Sequence, residues 1–233
     1  MGEILVRPGV TLLQDGRFFP LGQDSVLLAD FAARKARGYG LDLGAGQGFL
    51  TVLTSLRTAN CRIDGIELQT EAADIAAENC RRAGVKGNVT AGDLRSLPKT
   101  FYGVYDFVLC NPPYFEGKRG ERAKTQALAQ ARSDCGADIG QVCRAAFLAL
   151  KTGGKLFLCF PAERAEALFA ALREHQLAPK RLRAVHNRAD SSAGILLLEA
   201  VRQGGEGLEV LPPLILRDEN GNYSREYREI YEG

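Results

Sequence analysis

Between residues 41 and 110, short apolar runs alternate with stretches of helical periodicity, and this alternation limits the possible folds more than any other feature of the chain. Residues 41–43, 62–66, 89–91 and 104–110 have the length and apolar character of strands. After the first, Phe49, Val52, Leu53 and Leu56 recur at i, i+3, i+4, i+7. After the second, Thr70 is placed to cap a helix with apolar face Ala72, Ile75, Ala76, Cys80 and Ala83, and Gly84 is placed to stop it. Strands joined through helices run parallel, and their sheet is covered on both faces. The chain is therefore expected to be α/β. Upstream, residues 1–23 hold short extended pieces (ILV, TLL, RFF), and Asp24 is placed to cap a helix carrying Leu27, Leu28, Phe31 and Ala32. Downstream, residues 116–134 break the rhythm with many charges and weak periodicity. A helix over 136–150, a strand over 155–160, an amphipathic helix over 163–175 and strands near 180–187 and 194–201 follow. No helix fits between the last two strands, so they should pair antiparallel. No repeat or long linker divides the chain. It reads as one domain, with an N-terminal extension and helix (1–37), a core (38–202) and a C-terminal extension (203–233).

Composition removes several classes of function. The six cysteines form no CxxC pair, and with two histidines in the chain the spacing of a zinc site is absent. Cys80, Cys110 and Cys159 lie in apolar segments, where a free thiol acts as a small core residue. No leader-like opening and no apolar run near the ~18 residues of a membrane span are present. These features point to a reduced, cytoplasmic protein with no metal and no membrane association. A net charge of +2 gives no global argument for a polyanionic partner.

The first strand runs into LDLGAGQGFL, where Asp42 is followed by Gly44, Ala45, Gly46 and Gly48. Glycines here permit positive φ and a close approach of ligand to backbone. The dinucleotide fingerprint GxGxxG would need glycine at Phe49, and an acid before the turn is a poor neighbour for pyrophosphate. Glu67 ends the second strand, beside Leu68; Asp93 ends the third, beside Leu94. Open α/β sheets bind ligands at this edge. A carboxylate there can take both ribose hydroxyls or an adenine amino hydrogen, and an apolar neighbour can cover the ring. With Asn111-Pro112-Pro113-Tyr114 at the end of the fourth strand, the set resembles the class I S-adenosylmethionine-dependent methyltransferases over about residues 38–202. The resemblance implies a Rossmann-like, seven-stranded, mostly parallel sheet with its last strand pair antiparallel and helices on both faces. It also implies S-adenosylmethionine as cofactor, S-adenosylhomocysteine as product, and a cofactor site made by Asp42, Gly44, Ala45, Gly46, Glu67, Leu68, Asp93, Leu94 and Asn111.

NPPY by itself can be a turn that stops a strand. In the family it resembles, the motif marks methylation of a nitrogen whose lone pair is conjugated to a ring or carbonyl. Acceptors on both amino hydrogens, the Asn111 side-chain oxygen and the Pro112 carbonyl, would draw such a nitrogen toward tetrahedral geometry. Tyr114 would stack on the ring, a contact worth ~1–3 kcal/mol per base. Two end segments, residues 16–32 and 213–231, are similar to the bacterial family that N6-methylates adenine 37 in the anticodon loop of valine tRNA. Phe115, Arg119, Arg122, Lys124 and Arg132 are then candidate substrate contacts, and tRNA the candidate partner. The cluster Arg173, Lys180, Arg181, Arg183 and Arg188 is a second candidate for phosphate contact or a solvated face. Rivals are a glutamine N5-methyltransferase of proteins, an rRNA or DNA amino-methyltransferase, and a non-catalytic cofactor-binding module.

Overall fold

A computed structural model of the protein describes residues 1–58, 61–112 and 137–232. The chain opens with a hairpin, β1 (Gly2–Arg7) and β2 (Val10–Gln14), which forms its own antiparallel sheet. The RFF piece is not a strand; residues 16–18 form a turn and bend, closed by Phe18 N–H donating to the Asp15 carbonyl. Helix α1 (Gln23–Ala33) follows, then β3 (Tyr39–Leu43), α2 (Phe49–Arg57), β4 (Arg62–Glu67), α3 (Thr70–Arg82), β5 (Val89–Ala91) and β6 (Tyr105–Cys110). Beyond the undescribed stretch come α4 (Ile139–Ala149), β7 (Leu150–Pro161), α5 (Ala165–Glu174), β8 (Leu177–His186) and β9 (Ala193–Arg202). The short strands β10 (Glu209–Val210) and β11 (Leu214–Ile215) and helix α6 (Arg225–Glu232) complete the chain.

The main sheet has the order β10-β8-β9-β7-β6-β3-β4-β5, and β11 also pairs with β8. Strands β3 to β7 run parallel, whereas β9 is antiparallel to both β7 and β8. The seven expected strands are all present. The two-residue strands β10 and β11 extend the sheet beyond them, because the C-terminal segment lies along the outer side of β8.

Strand alternation splits the core into two layers. Phe107 and Leu109 of β6 pack with Phe31 of α1 and Leu53 of α2 on one face. Val108 and Cys110 pack with Val142 of α4 and Leu168 of α5 on the other. Two expected caps are absent. Gly22 is the N-cap of α1, with Asp24 inside the first turn, and Gln69 precedes α3 without a side-chain cap. By contrast Asp138 and Gln141 form a full capping box on α4, which starts later than the expected residue 136.

Candidate active site

A cavity of about 430 Å³ opens at the carboxyl ends of β3, β4, β5 and β6, where the strand order reverses around β3. That size lies within the roughly 300–1,000 Å³ range of small-molecule sites. Asp42, Gly44, Ala45, Gly46, Glu67 and Leu68 line it, as do Asp93, Leu94, Asn111 and Pro112. Ten of the sequence-derived candidates thus meet in one space. Tyr114, Phe115, Arg119, Arg122, Lys124 and Arg132 lie outside the described residues.

The glycine turn is built by backbone. Gly44 and Ala45 both donate to the Ile66 carbonyl, at 2.9 and 3.1 Å, so β4 fixes the end of β3. Gly44, Gly46 and Gly48 all have positive φ, which L side chains rarely adopt. A Cβ on Gly48 would stand 3.0 Å from Ala76, so this glycine also lets α3 approach the turn.

Each acid at this end already has internal donors. Glu67 accepts from the Gly46 N–H at 2.8 Å through one oxygen and from the Gln69 N–H at 2.9 Å through the other. Asp93 accepts from the backbone and side chain of Arg95, and this pairing lowers its pKa. Asp42 is 1% exposed and accepts from the Thr51 hydroxyl at 2.7 Å. Burial pushes its pKa up to about 7; the Thr51 bond opposes this, and the charge of Glu67 adds to it.

Three features of the site carry no short-range sequence signal. The Asn111 amide nitrogen donates to the Ser25 hydroxyl at 3.1 Å across 86 positions of sequence. Asp24 and Ser25 line the cavity from the first turn of α1. Gln47, 1% exposed, donates to the Phe19 carbonyl and accepts from the Asp15 N–H, while Asn79 joins the Leu13 backbone to the Gln47 carbonyl. These amides hold residues 13–19 against the glycine turn, so Phe18 and Phe19 become cavity wall.

The second basic cluster is largely committed inside the fold. Arg181 pairs with Glu199 at 2.8 Å and lies over the Phe31 ring. Arg183 pairs with Glu226, and Lys180 donates to the Gly205 and Glu206 carbonyls. Arg188, in the β8–β9 turn, keeps a side chain 43% exposed and pairs loosely with Asp190. Arg181 is thus engaged by β9, and Lys180 and Arg183 by the C-terminal segment, whereas Arg173 stays exposed.

A sequence model of the methyltransferase small domain matches residues 21–162, more than half of the chain. The chain belongs to this family. As a member of it, the protein is an S-adenosylmethionine-dependent methyltransferase. The tRNA1(Val) (adenine(37)-N6)-methyltransferase of Aeromonas hydrophila is 29% identical over 214 residues, covering 90% of this chain and 87% of the relative. The enzyme of the same name from Photorhabdus laumondii is 27% identical over 238 residues, covering 98% and 95%. Among solved structures, a predicted O-methyltransferase from Agrobacterium tumefaciens superposes with a TM-score of 0.71 at 19% identity, covering 89% of this chain and 95% of that one. The geranyl diphosphate C-methyltransferase of Streptomyces coelicolor gives 0.53 at 16% identity, covering 76% and 75%. These likenesses carry the Rossmann-like fold. The site fits the donor: a cavity of small-molecule size, a glycine turn open to close approach and acids at successive strand ends. Among the described residues there is no cluster of three or more metal-binding side chains, and no helix is long and apolar enough to cross a membrane.

Proposed function

We propose that the protein methylates N6 of an adenine in tRNA, in the anticodon loop. The observation that carries this reading is the meeting of Asn111 and Pro112 with the glycine turn, Glu67 and Asp93 in one cavity. The relatives named for adenine-37 N6 methylation of valine tRNA support it along nearly the full chain.

S-adenosylmethionine supplies an electrophilic methyl group when bound. Glu67 and Asp93, with Leu68 and Leu94 beside them, would hold its adenosine portion, and the turn at Gly44, Ala45 and Gly46 would give it backbone to lie against. Asn111 Oδ1 and the Pro112 carbonyl accept the two hydrogens of the target amino group. That would leave the nitrogen lone pair less delocalised and free to react. Ser25 orients Asn111: because Nδ2 donates to the Ser25 hydroxyl, the amide presents its oxygen, the face that can accept from an amino group. No strong base is required, since the proton becomes acidic once the nitrogen carries the methyl and a positive charge. Tyr114 would stack on the base, as the NPPY motif implies, and Phe115, Arg119, Arg122, Lys124 and Arg132 would contact the RNA, the basic ones through the local charge cluster. The target base must leave its stack to enter, and a loop base does so at small cost.

The test is incubation with tritiated S-adenosylmethionine and separate tRNA, rRNA, DNA and protein fractions. Digestion of labelled tRNA should release N6-methyladenosine. Label confined to protein, as N5-methylglutamine, overturns the reading.

A further inference from the structure

Beside the mouth of the cavity the sheet carries a ridge. Leu182 of β8 lies level with Cys110 of β6, through Leu198 of β9 and Leu158 of β7. Strand β8 runs on to His186, four residues further, so it rises roughly 13 Å above the end of β6 at ~3.3 Å per residue. Two strands lie between, which sets the ridge roughly 15 Å from the end of β6 across the sheet. The β8–β9 turn is its crest, and the C-terminal segment doubles it. Leu216 N–H donates to the His186 carbonyl, Arg217 N–H to the Asn187 carbonyl, and the Arg188 guanidinium to the Glu219 carbonyl. On this crest the Arg217 guanidinium lies 4.2 Å over the ring of Tyr223, which is 43% exposed and stacks on Tyr227 at 4.6 Å. The arginines of the cavity wall, Arg17 and Arg95, are closely paired with Asp15 and Asp93, at 2.8 and 2.7 Å. The ridge differs. The Asp190 carboxylate stands 3.5 Å from Arg188 and is 81% exposed. Arg217 donates to the Gly221 carbonyl and has no carboxylate partner among the described residues. Of the neighbouring acids, Asp218 accepts from the Asn220 and Asn222 N–H groups of its own turn, and Glu219 is exposed.

We infer that this ridge is a docking surface for the sugar-phosphate backbone of the substrate RNA, with Arg188 and Arg217 as its phosphate contacts. The inference rests on the proposed function. A base reaches Asn111 by leaving its stack, and the rest of the RNA stays outside the mouth. There it meets whatever rises above the sheet edge, and β8 with the C-terminal segment does so. At ~3.4 Å of rise per nucleotide along a base-paired strand, a lateral distance of roughly 15 Å corresponds to about four nucleotides. The ridge therefore touches the stem side of the loop and not the target nucleotide. A guanidinium suits this role, because its fork of donors matches phosphate oxygens and its flat face stacks on an aromatic ring. Stacking on Tyr223 holds Arg217 in place before the RNA arrives, so less freedom is lost on binding. Such contacts fix affinity and register and leave the chemical step alone.

The experiment measures binding of an unmodified valine tRNA transcript against salt, together with methylation at saturating tRNA. Wild type is compared with the double variants Arg188→Gln/Arg217→Gln and Arg188→Lys/Arg217→Lys. Arg34→Gln/Arg81→Gln removes the same charge from exposed positions near the C-terminal ends of α1 and α3, at the opposite edge of the sheet, and is the control. The glutamine pair should flatten the slope of log affinity against log salt by roughly 1.4–1.8, which is two lost phosphate contacts, and weaken binding roughly 10–100-fold. Its turnover at saturation and its S-adenosylhomocysteine affinity should match wild type. The lysine pair should keep the slope, since charge sets counterion release, whereas a merely structural role for the guanidinium bonds to Glu219 and Gly221 would be lost in both pairs. An unchanged slope in the glutamine pair, or an equal fall in the control or the lysine pair, overturns the ridge while the tRNA reading stands. A wild type that labels protein and no tRNA overturns the proposed function, and the inference with it.

Discussion

The two walls of the cavity are built on opposite principles. The wall at the ends of β3, β4 and β5 is internally satisfied: Asp42 is bonded to Thr51, Glu67 to two backbone N–H groups, and Asp93 to Arg95. The wall made by α1 and the end of β6 joins Asn111 to Ser25 and leaves Asp24 without a partner among the described residues. The contrast follows from what each wall must do. Binding an adenosine rewards a shape fixed beforehand, because ordering costs are then already met in the free protein. Reaction rewards groups whose best interactions form only when the substrate amino group and the methyl arrive.

The largest test of this contrast is Asn111→Ala. Losing an acceptor that matters most in the transition state should cut single-turnover methylation by ~10²–10³-fold, the scale seen when one such polar contact is removed. S-adenosylhomocysteine affinity should stay within a few-fold. Equal loss of rate and affinity would mean that the two walls are one binding surface.

The second test uses pH on the satisfied wall. Asp42 has a native pKa of about 7 against 3.8 in the unfolded chain. Across that window the native state holds a proton that the unfolded chain has released. The stability from neutral Asp42 is complete below about pH 4 and declines as pH rises toward 7, by at most about 1.4 kcal/mol per unit. Asp42→Asn cannot ionise and escapes the decline. Urea denaturation should therefore show the variant gaining about 2–4 kcal/mol on wild type between pH 4 and 7.5; a constant difference would show that Asp42 is ionised throughout.

Third, Glu67→Ala leaves the Gly46 and Gln69 N–H groups without their acceptor and loosens the turn. Donor affinity should fall by roughly 10–100-fold, with turnover at saturation much less affected. A loss in turnover alone would place Glu67 on the reacting wall.

The smallest effect is expected from Ser25→Ala. Its hydroxyl sets the orientation of the Asn111 amide, so turnover should fall by about 3–10-fold, the scale of one neutral hydrogen bond. In an Asn111→Asp background the same change should cost almost nothing, because a carboxylate presents oxygen whichever way it turns. A loss of equal size in both backgrounds would make Ser25 a packing residue.

Much of the satisfied wall was written in local sequence. The short apolar runs and helical runs between residues 41 and 110 determine a parallel α/β sheet. Its ligand edge collects whatever follows each strand: the glycine turn, Glu67, Asp93, and Asn111 with Pro112. Residues placed by their own strand need no distant information. Of the reacting wall, Asn111 and Pro112 at the end of β6 were written this way, and the α1 side was not. Asp24 read as a cap that Gly22 in fact supplies, and Ser25 carried no signal. Their role depends on α1 packing against α2 and the sheet so that its first turn meets the end of β6. Gln47 and Asn79 likewise carry no signal in local sequence, yet both are buried and bind the backbone of residues 13–19 across gaps of 28 to 66 positions. The basic cluster at 173–188 looked outward in sequence, but β9 engages Arg181 and the C-terminal segment lying on β8 engages Lys180 and Arg183. Periodicity reports which face of an element is apolar. It carries no record of which polar group from another part of the chain will arrive at that element's end, and only the close packing of the folded core decides that.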